Sequence, residues 1–112
     1  MKIVTDKIPI AELNEMAKNM FGNLVKAVVD IDKKIMVVDG ELHADEEVLL
    51  LQNGSIQKNI WGINIYPEEK ENFIEFDSMI NIRPSMGNKT RGVDDEVLRN
   101  LILQIVNDLI IK

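Results

Sequence analysis

A chain of 112 residues fits one domain, which hides roughly two-thirds of its unfolded surface and needs no covalent staples. The absence of cysteine excludes disulfides, thiol catalysis and cysteine-ligated zinc or iron–sulfur sites. A formal net charge of −6, with no Lys/Arg cluster interleaved with aromatics, argues against a grip on nucleic acid, which needs phosphate neutralisation.

No apolar run approaches the ~18 residues that span a membrane, and no basic start with an apolar core suggests export. The expectation is a cytoplasmic protein with no membrane partner. There is no internal repeat and no low-complexity segment.

In chain order, Lys2–Thr5 reads as a short edge strand. A helix is predicted from Pro9 to Phe21, because Ile10, Leu13, Met16, Ala17, Met20 and Phe21 recur at spacings of three and four. Pro9 suits its first turn and Gly22-Asn23 its stop. Two β-branched runs, Leu24–Ile31 and Ile35–Val38, flank the polar turn Asp32-Lys33 and predict a hairpin. Val25, Ala27, Val29 and Ile31 form its core face, with Lys26 and Asp30 on the other. The second strand is apolar throughout and belongs inside the sheet.

The segment 40–55 is ambiguous. Asn53-Gly54 signals a hairpin turn and equally a helix C-terminus. Asp45, Glu46 and Glu47 complement the dipole of a helix start, which favours a short helix over 44–52, followed by a turn or helical stub to Ile60. Trp61–Tyr66 reads as a strand with Trp61, Ile63 and Ile65 facing the core.

After the acidic loop 67–72, alternation predicts a long strand from Phe73 to Arg83, bent or bulged near Asp77-Ser78 and ended by Pro84. Ile74, Phe76, Ile80 and Ile82 take its core face. Its other face would share one wet surface with the neighbouring strand: Asn64, Tyr66, Glu75, Asp77, Asn81 and Arg83. A last helix runs from Asp94, its N-cap, to Ile110. Val97, Leu98, Leu101, Ile102, Ile105 and Leu109 make its core stripe. Leu103, Val106 and Ile110 form a spare apolar ridge, which predicts contact with a second chain. The order β-α-β-β-α-β-β-α implies an α+β domain, a mainly antiparallel sheet with helices packed on one face.

Three stretches could carry chemistry. In Glu41–Glu47, the only histidine, His43, stands among carboxylates that could bind a divalent metal or act as acid and base. His43, Asp45 and Glu47 are the metal candidates; a strand would put these three on one face, whereas a helix puts His43 with Glu46 or Glu47. The spacing matches no established zinc signature, and a charged helix start with a hydrogen-bonded His43 is the plainer account. In Arg83–Gly92, glycines allow close backbone approach and arginine forks match carboxylate or phosphate. Ser85, Asn88 and Thr90 add hydrogen bonds, and the alternative is a surface loop whose Arg83 and Arg91 pair with local carboxylates. Asn64 and Asn81 are odd residues for strands.

The blocks GELHADEE, NGS-x-Q-x-x-x-WGINIYP and INIRPS-x-GN-x-x-RGV resemble those of a family of short prokaryotic proteins of unknown function. The resemblance covers nearly the whole chain. It implies a single-domain protein and supplies no activity, cofactor or catalytic residue.

Two functional expectations follow. One is a binding or interaction module that forms a homodimer through the last helix. The other is a small-ligand protein or metal-dependent enzyme, with a small anionic ligand as candidate partner. Its pocket would join His43, Asp45, Glu46 and Glu47 to Arg83, Ser85, Asn88 and Arg91, with Asn64 and Asn81 beside it.

Overall fold

The computed structural model describes residues 1–112 and is organised on one antiparallel sheet of five strands. These are β1 (Lys2–Val4), β3 (Val25–Asp30), β4 (Ile35–Val38), β5 (Ile60–Ile65) and β6 (Ile74–Glu75), in the order β1-β4-β3-β5-β6. The predicted hairpin is β3–β4, and β4 lies inside the sheet. A second, two-stranded sheet pairs β2 (Ile8–Pro9) in parallel with β7 (Ile110–Ile111), an arrangement the sequence did not announce. Three helices complete the chain: α1 (Ile10–Asn19), α2 (His43–Gln52) and α3 (Glu96–Leu109). No helix is long and apolar enough to cross a membrane.

The register fixes two faces. Ala27 pairs with Val38 and Ile63, and Val29 with Met36 and Trp61, so one face carries nearly all the large core. Leu13 and Ala17 of α1 pack there, as do Ile102, Ile105, Val106 and Leu109 of α3. The opposite face carries Val28, Val37 and Ile60, covered by Leu50 of α2 and flanked by Ile80. The α+β class and antiparallel sheet are as expected, but α2 departs from the shared layer and takes this second face.

The Asn53-Gly54 ambiguity resolves as a helix stop. Gly54 has a φ of +94°, its N–H donates to Leu51 O, and the Ser55 N–H reaches back to Leu50 O. Those two bonds are the Schellman closure that a glycine at this position permits. Asp30, expected on the face away from the core, is buried. Its carboxylate accepts the Asp32 and Lys33 N–H groups and the Ser55 hydroxyl, tying the β3–β4 turn to the end of α2.

Two segments depart from expectation here. In α3 the N-cap is Asp95, which accepts the Val97 N–H, while Val97 itself is 77% exposed. Val106 and Ile110 are buried within the chain, so the ridge is not free for a partner. The second is Phe73–Arg83, which forms a strand only at Ile74–Glu75. Beyond it the chain makes short 3-10 turns at Met79–Asn81 and Pro84–Met86. Phe73 is buried, Ile82 is exposed and Asn81 is fully buried, against the alternation.

The reason lies in side-chain hydrogen bonds. The Asn81 carboxamide accepts the Gly62 N–H at 2.8 Å and donates to Gly62 O at 2.9 Å. A carboxamide has the same donor–acceptor pair as a peptide group, so Asn81 stands where the next strand would have been. Gly62 is required beneath it, because a Cβ there would lie 2.6 Å from the Ser78 side chain.

Candidate ligand-binding site

Between α2 and the segment 77–91 the surface sinks into two hollows that share the walls Met79 and Ile80. The first, of about 320 Å³, includes Lys26, Leu42, His43, Asn64, Asp77 and Arg91 in its lining. The second, of about 500 Å³, includes Glu47, Lys58, Ile82, Arg83, Ser85 and Met86. The two polar stretches of the sequence therefore meet. His43 and Glu47, one helical turn apart on α2, face Arg91 and Arg83 respectively.

His43 is held from below. Its Nε2 lies 2.7 Å from Ile63 O, and a carbonyl can only accept, so Nε2 carries the proton. Burial lowers the proton affinity of the ring, and the Ile63 bond opposes this in part. The neutral ring leaves Nδ1 as an acceptor. Asn64 beside it donates to Glu75, while its Oδ1 is buried without a partner. At the rim, Arg91 Nε donates to Asp77 at 2.6 Å.

The second hollow is organised on Arg83. Its guanidinium lies 4.7 Å from the Trp61 ring centre, and Nη2 donates to Ile60 O at 2.6 Å. Nη1 is buried with no partner. Glu47 Oε2 is 3.7 Å away, too far for a hydrogen bond, and it too is buried and unpartnered. Both side chains are largely covered, at 11% exposure for Arg83 and 15% for Glu47. Burial lowers the proton affinity of Arg83, and the Glu47 charge offsets part of that.

The remaining candidates are placed elsewhere or are structural. Asp45 points to solvent from the outer side of α2, and Ser85 is exposed on the rim. Glu46 is fully buried under Gly40, whose N–H it accepts at 2.9 Å. Desolvation pushes its carboxyl up to about 9, so it is neutral at pH 7. Asn88 donates to the carbonyls of Asn81, Thr90 and Gly92 and accepts the Asp94 N–H, which folds the loop on itself. Asp94, expected as a helix cap, closes that loop through Thr90 Oγ1 and the Lys89 N–H, and these bonds lower its pKa.

The metal grouping of His43, Asp45 and Glu47 does not form: α2 is a helix, which turns Asp45 away. No three His, Asp or Glu side chains gather at metal-binding distance.

The sequence reading missed Lys26 and Lys58. Lys26 had a signal, a lone cation on the wet side of an apolar strand. Lys58 had none, because its place depends on how the chain turns after Gly54.

The model of a family described as a protein of unknown function, DUF5674, matches residues 2–109. The chain belongs to the DUF5674 family. No curated protein matches this DUF5674 chain, and no solved structure matches it.

Proposed function

We propose that this domain binds a small ligand carrying an anionic group, in the cleft between α2 and the segment 77–91. The observation that supports this is local charge. Lys26, Lys58, Arg83 and Arg91 line the two hollows against only Asp77 and Glu47. The whole chain has 13 Lys and Arg against 19 Asp and Glu, so the cleft is a positive island on an acidic protein. Such a local field concentrates anions. A further hollow of about 400 Å³, lined by Tyr66, Glu69, Asn72, Ile74 and Glu75, has the opposite character and no cation.

The cleft is also amphipathic. Exposed Leu42, Met79, Ile82 and Met86 line it beside the charged groups. The ligand therefore combines an anionic head with an apolar part, and methionine walls adapt to different shapes.

A thermal-shift series with carboxylates, amino acids, phosphate esters and inorganic phosphate tests the reading. Ligand at ~100 times its dissociation constant stabilises by roughly 2.7 kcal/mol, which moves the melting point of a domain this small by about ten degrees. The expected result is a shift for some of these compounds that disappears in Arg83→Met. No shift with any of them overturns the reading.

A second reading keeps self-association but moves its surface. Leu42, Val48, Leu51 and Ile56 are exposed along α2 and the turn after it, next to the apolar rim of the cleft. Light scattering at high concentration tests it: a dimer lost in Val48→Lys supports this surface, and a monomer removes it.

A further inference from the structure

The second hollow is lined by two opposite charges side by side, an ion pair that stops short of hydrogen-bond distance. Glu47 accepts no hydrogen bond, although its side chain is largely covered. Arg83 uses one Nη2 bond and leaves Nη1 idle. Structural ion pairs normally close to hydrogen-bond distance, because a covered charge without partners is costly. Here the closest approach is 3.7 Å. Arg83 is held in place by its Ile60 bond and by the Trp61 ring, so it is positioned independently of Glu47.

A simple anion resting on Arg83 would lie against the negative charge of Glu47. A simple cation on Glu47 would meet Arg83 and Lys58. A group bearing both charges a few ångströms apart matches both Arg83 and Glu47. We infer that the second hollow binds an α-amino acid with an apolar side chain: its carboxylate on Arg83, its ammonium on Glu47, and its side chain against Met79, Ile82 and Met86. A volume of about 500 Å³ accommodates such a molecule. The inference rests on the anion-binding reading above and narrows it to one class of ligand.

The experiment is isothermal titration of the whole protein with L-leucine, N-acetyl-L-leucine, L-leucinamide and 4-methylpentanoate. The first has both charges, the second and fourth only the negative one, and the third only the positive one. L-leucine is expected to bind at least tenfold more tightly than any of the others. In Glu47→Gln, which breaks no hydrogen bond, the preference of L-leucine over N-acetyl-L-leucine should vanish while the protein still melts in one cooperative transition.

If N-acetyl-L-leucine or 4-methylpentanoate binds wild-type protein as tightly as L-leucine, the amino-acid assignment falls and the anion site stands. If L-leucinamide matches L-leucine, the role of Arg83 falls. If neither these compounds nor phosphate and its esters bind, both the assignment and the reading beneath it fall.

Discussion

Two polar clusters lie on the same side of the sheet, and they are built on different terms. Around Asn81 and Asn88 both side-chain amides are engaged: Asn81 serves Gly62 and Arg91, and Asn88 serves Asn81, Thr90, Gly92 and Asp94. Around Arg83 and Glu47, donors and acceptors are covered and left idle. A satisfied buried network holds a fold in one conformation, whereas an unsatisfied one is a cost that a ligand can remove. The first cluster is the brace and the second is the proposed site. Amides build one and charged groups the other, and the count of completed bonds separates them.

The largest effect expected on this contrast comes from Asn81→Ala. It strips the partners from the Gly62 N–H and the Gly62 carbonyl, and it removes one of the two donors to the Arg91 carbonyl, which keeps the Ser78 N–H. Each buried backbone group so orphaned costs about 1–3 kcal/mol. Urea denaturation should show a loss of roughly 3–5 kcal/mol, within the range of severe single substitutions. A loss below about 1 kcal/mol would mean that the brace is not structural.

Gly62→Ala attacks the brace from below. The added methyl would lie 2.6 Å from Ser78 Cβ and Oγ. Overpacking of this kind costs about 1–3 kcal/mol, and a thermal melt should show a lowered melting point.

Glu46 stands between the two cases, with one oxygen on the Gly40 N–H and the other unpartnered. Its folded pKa is raised to about 9 from an ordinary 4.5. The unfolded chain therefore releases this proton above pH 4.5, while the folded chain keeps it until about 9. Stability from this group is complete below the unfolded pKa, falls as pH rises through that window and is flat above it. The slope approaches about 1.4 kcal/mol per pH unit. Denaturation of Glu46→Gln alongside the wild type at pH 5, 7 and 8 isolates it. The variant should gain relative stability as pH rises, and parallel curves would show that Glu46 ionises normally.

The smallest effect is expected at Glu47→Gln, which breaks no hydrogen bond. It removes the charge beside Arg83 and should cost roughly 0.5–1 kcal/mol, measured by the same denaturation. A larger loss would place Glu47 in the brace and not in the site.

Legibility in the sequence followed the source of each element's stability. Where apolar periodicity meets one large core, as in β3, β4, β5 and α1, the elements appeared within a few residues of their expected bounds. The face pattern of β5 was correct because Trp61, Ile63 and Ile65 all reach that core. Phe73–Arg83 alternated equally well and was misread, because its outcome depends on the Asn81 amide competing for the strand position beside Gly62. No periodicity reports such a competition.

In α3 the charges around Asp94 pointed to a cap, yet Thr90 and Lys89 bind that carboxylate first. The ridge on Val106 looked spare because the β2–β7 pair, which joins positions about a hundred residues apart, leaves no local mark. The site itself was half legible. Both polar stretches were apparent, but which of their side chains would remain unsatisfied emerged only from the packed geometry.

The stand-in amide at Gly62 has one more consequence. The segment Ile60–Ile65, Ile-Trp-Gly-Ile-Asn-Ile, is uncharged and rich in β-branched residues, the composition of segments that stack into cross-β fibrils. Its outer margin meets β6 only at Asn64 and Ile65. Along the rest, Asn81 occupies the Gly62 peptide and Arg83 the Ile60 carbonyl. A stray chain therefore finds no template there. Side chains from a loop perform the protective work that sheets otherwise assign to a charged edge strand or a covering helix, and a chain that loses them exposes its stickiest sequence to its neighbours.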